Sequence, residues 1–186
     1  LYQKGDMDTM GEKNWLEQIQ GKNQLAKIIE ANAYTEEFGL ALTDAEARAL
    51  VEKRNEALRT EGRVEFGAGI LPKLIYAFCD SDYVNADEWG GFLGRLTEIF
   101  YLYKNEMNDE ITDDELIAFM RQQYEEVCRG DLDYLEDTCL ELFAEAVRAG
   151  YRGYQESGGY GEYEQLDLRA RWSHAEFIVA LNELCQ

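Results

Sequence analysis

Six polar side chains, Arg54, Arg63, Glu65, Lys73, Tyr76 and Asp80, interrupt the most apolar part of this 186-residue sequence. Ionisable groups held among apolar residues beside a cleft can form a binding site, so the set could serve a small-molecule binder or an enzyme with a polar pocket around residues 54–80. The competing reading is structural, a network of ion pairs that fixes the turn between two helices. Arg54 carries most of the weight, because it falls on the inward helical stripe of Ala47, Leu50, Val51 and Leu58. An unpaired guanidinium there is too costly, so Arg54 needs a carboxylate, with Glu65 and Asp80 as the first choices.

A second constellation is acidic. From Glu106 to Glu145 there are 14 Asp or Glu against Arg121 and Arg129, which places −12 of the formal −20 charge in that segment. Within it Asp133, Asp137, Glu141 and Glu145 recur every four residues. On an α-helix they make a slanted ridge about 18 Å long, at ~1.5 Å rise per residue. Each like-charge pair at that spacing costs roughly 0.2–0.5 kcal/mol. The ridge suits docking on a basic partner, or mimicry of a row of nucleic-acid phosphates. The plain alternative is a solvated outer face opposite Leu135, Cys139 and Leu142.

The remaining motifs carry less. Asp80-Ser81-Asp82 starts like an EF-hand loop, but Val84 takes a ligand position and the turn glycine is missing; Asn108 to Glu115 fails the spacing too. Trp89-Gly90-Gly91-Phe92-Leu93-Gly94 lacks dinucleotide and P-loop spacing, so Gly90 and Gly94 mark a close approach by another helix. The one histidine, His174, follows a capping serine, and no serine has a nucleophile-elbow context. Cys79, Cys128, Cys139 and Cys185 include no C-x-x-C pair. Buried reduced thiols are the leading expectation, and a disulfide is the alternative. No metal, cofactor or catalytic residue is expected.

The elements that would position these groups are helical. Ile70 to Cys79 carries one charge, Lys73, and follows a turn with Gly62, Gly67 and Gly69, so it reads as a central buried helix with Pro72 in its first turn. Thr43-Asp44-Ala45-Glu46 and Thr112-Asp113-Asp114-Glu115 are capping boxes that open helices, and Ser173 to Glu176 is a third. Trp89, Phe92, Leu93, Leu96, Phe100, Tyr103 and Met107 form a long three-and-four stripe. Upstream, Trp15, Leu16 and Ile19 precede a break at Gly21, and Leu25, Ile28, Ile29 and Ala33 form a second short helix. The expected architecture is a mostly α single-domain bundle of six to eight helices. A small two-stranded β element joining Arg63–Phe66 to Leu166–Trp172 is an option. Residues 1–37 read as an N-terminal arm with accessory helices, and 38–186 as the core domain with a Tyr/Gly-rich loop at 151–165.

With 46% hydrophobic residues the chain can bury a core despite 30% charged residues. A net charge of −20 repels phosphate backbones and anionic membrane surfaces, which argues against direct nucleic-acid or membrane binding. No stretch of about 18 apolar residues appears, and the polar start lacks a secretion signal.

Phe38-Gly39-Leu40 through Thr43, Arg54-Asn55, Gly62 to Phe66 and the run Gly69 to Ser81 together resemble an uncharacterised family of small bacterial proteins, a domain of unknown function, over about residues 38–150. The resemblance implies a bacterial, cytoplasmic protein and supplies no activity, ligand or catalytic residue. The leading functional expectation is thus a non-catalytic interaction or regulatory protein that turns its acidic helices toward a basic partner.

Overall fold

Thr43 and Thr112 open helices as their sequences predict. In each box the threonine hydroxyl accepts the main-chain N–H of the glutamate three residues on, and that carboxylate accepts the threonine N–H in return. The computed structural model describes the backbone of residues 8–65 and 69–150, and the side chains of 22–65 and 69–150. Its helices are α1 (Asp8–Thr35), α2 (Asp44–Thr60), α3 (Leu71–Phe78), α4 (Trp89–Glu106), α5 (Asp113–Glu126), α6 (Leu132–Tyr134) and α7 (Glu141–Arg148). Short 3-10 turns occupy Glu36–Phe38 and Ala86–Glu88, and a π segment occupies Leu135–Leu140. The expected mostly α helical class holds, and no strand occurs among the described residues. Arg63 to Glu65 is irregular; Phe66, the second strand expected at Leu166–Trp172, the 151–165 loop and the last capping box lie outside the described residues.

Two compact units can be distinguished, one within Leu1–Asp80 and Val84–Thr97, the other within Ser81–Tyr83 and Glu98–Gln186. In the first, α1 packs on α2 and α3. Gly21 does not break α1. A single internal glycine costs only about 1 kcal/mol against alanine, which the packing of a long helix offsets. The buried face of α1 is also offset from the expected stripe: Gln24, Ile28, Ala31 and Thr35 are inside, while Ile29 and Ala33 are exposed. Small residues at 31 and 35 suit close packing on a neighbouring helix. Asn32 fixes the following connection, since its side-chain amide donates to the Leu42 carbonyl at 2.7 Å and its Oδ1 accepts the Leu42 N–H at 2.9 Å.

The central helix α3 buries Leu71, Leu74, Ile75 and Phe78, with Ile70 before and Cys79 after, and turns Lys73 and Tyr76 outward. Pro72 sits in the first turn, where its missing N–H costs no bond. Gly90 and Gly94 do admit a helix. A Cβ at Gly90 would lie 3.4 Å from the Glu46 Cβ, and one at Gly94 would lie 3.7 Å from the Lys53 Cγ, both on α2.

In the second unit, Ile99, Phe100, Tyr101 and Tyr103 of α4 are buried, as their nearly all-round apolar run requires. Phe119 of α5 stacks on Phe143 of α7 with centroids 3.8 Å apart. The 132–148 stretch departs from the expected single α-helix. Leu135, Cys139 and Phe143 are inside as expected, but Leu140, Ala144 and Val147 join them, and Leu142 and Ala146, also expected inside, are half-buried. One wide turn explains this, because i→i+5 bonding advances the inward face by a residue relative to a 3.6 period. Among the described residues no helix is long and apolar enough to cross a membrane.

Candidate functional site

Of the six polar residues around the central helix, Arg54 and Glu65 come into direct contact. The Arg54 side chain is almost wholly buried and its Nη2 lies 2.6 Å from the Glu65 Oε2, which fulfils the need for a carboxylate partner. Nη1 reaches the Asn55 Oδ1 at 3.3 Å, while Nε is buried with no hydrogen bond among the described residues. Gly69 lies against this pair in the left-handed region at φ +63. A Cβ there would stand 2.6 Å from Glu65 Oε2 and 2.7 Å from Arg54 Nη2, so the glycine is required both by conformation and by space. The pair therefore fastens the end of α2 to the turn that launches α3.

The other members of the set do not share that burial. Arg63 is half-buried, and Lys73, Tyr76 and Asp80 are exposed. Tyr76 instead meets Tyr34 of α1 edge-on at 5.5 Å, and Tyr34 meets Phe38 at 5.6 Å. All three rings are 42–48% exposed, a contiguous aromatic group at the surface of the first unit. Tyr34 and Phe38 had no signal in sequence beyond their type, because their exposure depends on where α1 ends.

The four acidic residues of the second unit are all exposed. In a regular α-helix a four-residue step overshoots a turn and the row slants around the axis; the wide turn at Leu135–Leu140 undershoots, and so straightens the row from Asp133 toward Glu141. Tyr103 of α4 supports that turn. Its hydroxyl donates to the main-chain carbonyl of Glu136 and lies 3.5 Å from the Glu141 carboxylate. Arg148 bridges Glu106 at 2.9 Å and Glu141 at 3.7 Å, so the row is partly neutralised at Glu141.

Burial, and after it the carboxylates of Glu141, Glu136 and Asp137, push the Tyr103 phenol well above its ordinary value. The unfolded chain's tyrosine ionises near ~10. Stability from the neutral phenol is thus fully present below that pH and is lost as pH rises beyond it, because the unfolded state releases its proton first. The unfolding midpoint of the wild type is expected to fall more steeply above pH ~10 than that of Tyr103→Phe, measured by urea titration at successive pH values. Parallel pH profiles would discard the role given to the phenol.

Lys104 was not among the residues singled out by sequence. It is 6% exposed, and its ammonium donates to the Ile111 carbonyl and reaches Asp113 at 2.9 Å and Asp109 at 3.8 Å. The α4–α5 connection wraps this cation through Asn108 and Asp109, both in the left-handed region. The available signal was a lysine directly after the Ile99–Tyr103 run, where only a paired charge can sit.

A family model described as a family of unknown function (DUF6323) matches residues 27–153. No curated protein and no solved structure matches the chain.

Proposed function

We infer that this chain, which belongs to the family of unknown function DUF6323, is a non-catalytic interaction protein that offers the row Asp133, Asp137, Glu141 and Glu145 to a basic partner. The observation that carries this reading is the π segment. All four carboxylates are at the surface, and the wide turn at Leu135–Leu140 offsets the slant that a four-residue step has on a plain helix. Carboxylates in a row favour a partner with matching cations chiefly through encounter rate and register, and their effect weakens with salt. The exposed Tyr34, Phe38 and Tyr76 group supports the same class of role, since contiguous aromatic surface is typical of recognition faces. In this reading the protein works in a bacterial cytoplasm, where thiols rest in the reduced state and lasting disulfides are rare.

The polar set near α3 supports a pocket less well. Its one deeply buried cation, Arg54, is already closed on Glu65.

Changing Asp133 and Asp137 to Asn, and Glu141 and Glu145 to Gln, is expected to weaken capture of the partner about tenfold or more at physiological salt. A control that neutralises the exposed Glu36, Glu37, Glu52 and Glu56 of the first unit makes the same change in net charge and should leave capture nearly intact. Unchanged capture by the row variant, or equal loss in both, would remove the row from the account. Steep release of the partner by added salt is expected in the wild type and should be blunted in the row variant.

A further inference from the structure

We infer that Cys128 and Cys139 form a dithiol site that a small peroxide oxidises to an intramolecular disulfide. Both thiols are reduced and buried, and their sulfurs lie 3.6 Å apart. A disulfide needs about 2.05 Å between sulfurs, so the pair has to close by ~1.5 Å. Both cysteines stand where the backbone departs from a regular α-helix. Cys128 follows α5 and is succeeded by Arg129 and Gly130, two consecutive residues with positive φ. Cys139 lies inside the π segment, where the helix is already wider than its ideal. The hydrogen bond from Cys128 lowers the Cys139 thiol, against the opposing effect of burial, and so favours Cys139 as the attacking sulfur.

The chemistry balances with hydrogen peroxide as the named oxidant. The Cys139 thiolate attacks one peroxide oxygen, the O–O bond breaks, and the departing hydroxide takes the thiol proton as water. This leaves a sulfenic acid on Cys139. The Cys128 sulfur then attacks the Cys139 sulfur, the S–O bond breaks, and the second oxygen leaves as water with the Cys128 proton. Two thiols lose two electrons in all, and one peroxide is reduced to two waters. A dithiol reductant reverses the step.

Burial makes the competing account concrete: cysteines of this kind commonly act as small inert hydrophobes. Cys79 is the internal comparison, since it is equally buried and its thiol donates to the Tyr76 carbonyl at 3.5 Å. Cys139 lies between Asp137 and Glu141 in sequence but on the buried side of that segment, so a disulfide there would act on the proposed docking face through the backbone that carries it. The disulfide does not depend on that role.

The test treats the full chain with graded hydrogen peroxide, blocks remaining thiols under denaturing conditions and maps tryptic peptides by mass. Trypsin cuts after Arg121, Arg129 and Arg148, so Cys128 and Cys139 fall on different peptides. The expected result is a linked pair of those two peptides that disappears on reduction and forms at least about tenfold faster than any oxidation of Cys79. In Cys128→Ser the link is absent and Cys139 is trapped as a sulfenic acid by dimedone; Cys139→Ser also lacks the link. If serine upsets the fold, the alanine versions and the wild-type peptide map give the same reading. Direct passage to sulfinic acid without a link, pairing of either residue with Cys79 or Cys185, or oxidation no faster than at Cys79 each overturns the proposal.

Discussion

Glu65→Leu is expected to lower the unfolding free energy by about 3 kcal/mol, toward the low end of the range for breaking a buried pair, because the Glu65 side chain is 22% exposed. The reason lies on the other side of the contact. The Arg54 side chain is 2% exposed and cannot turn to water when its carboxylate is removed; among the described residues it keeps the 3.3 Å bond to Asn55. Glu65→Gln preserves an acceptor and should cost about half as much, in line with a charged hydrogen bond made neutral. Gly69→Ala attacks the same place from the backbone. It forces a Cβ into the left-handed region, about 1–2 kcal/mol, and drives it to within 2.6 Å of the Glu65 oxygen and 2.7 Å of the Arg54 nitrogen. Urea unfolding at constant m value reads all three. The decisive comparison is Arg54→Met combined with Glu65→Leu: an apolar replacement of both partners should regain most of what Glu65→Leu loses. If Glu65→Leu stays within ~0.5 kcal/mol of wild type, the pair does not hold the α2–α3 turn together.

The contrast between what sequence disclosed and what it hid follows from how local each signal is. Thr43 and Glu46, or Thr112 and Glu115, are three residues apart and speak for themselves. The stripe of α2 placed Arg54 inside, and its demand for a carboxylate pointed to Glu65 or Asp80, of which Glu65, 11 residues on, makes the contact. The signal failed where geometry depends on a tertiary partner. The wide turn at Leu135–Leu140 is tied to the Tyr103 hydroxyl, which comes from 33 residues away in the chain. A 3.6 period places Leu135, Cys139 and Phe143 inside but could not have exchanged Leu142 and Ala146 for Leu140, Ala144 and Val147. The Cys128–Cys139 contact was equally hidden, since the wide turn and the left-handed Arg129–Gly130 corner set it. At α1, the expected break at Gly21 gave too much weight to one residue's propensity and too little to the length of the surrounding helix.

Lys104→Met should cost about 2–4 kcal/mol, well above Asp113→Asn at roughly 1 kcal/mol. The asymmetry comes from exposure. Asp113 is 36% exposed on its side chain and stands in the first turn of α5, so on losing the ammonium its carboxylate can turn to water and still favour the helix N-terminus. The Ile111 carbonyl has no such escape, because Ile111 is 2% exposed and the Lys104 ammonium is its donor. Methionine matches the apolar stem but supplies no donor, which leaves that carbonyl unsatisfied and removes the cation around which Asn108 and Asp109 hold positive φ. The α4–α5 connection should then loosen first. Amide exchange at Met107, Asp109 and Glu110, whose N–H groups bond to carbonyls in the same corner, should rise in Lys104→Met before the amides of α5 lose protection. Uniform loss of protection across α4 and α5, or a stability change no larger than that of Asp113→Asn, would show that the buried ammonium is carried by the helices rather than organising the corner between them.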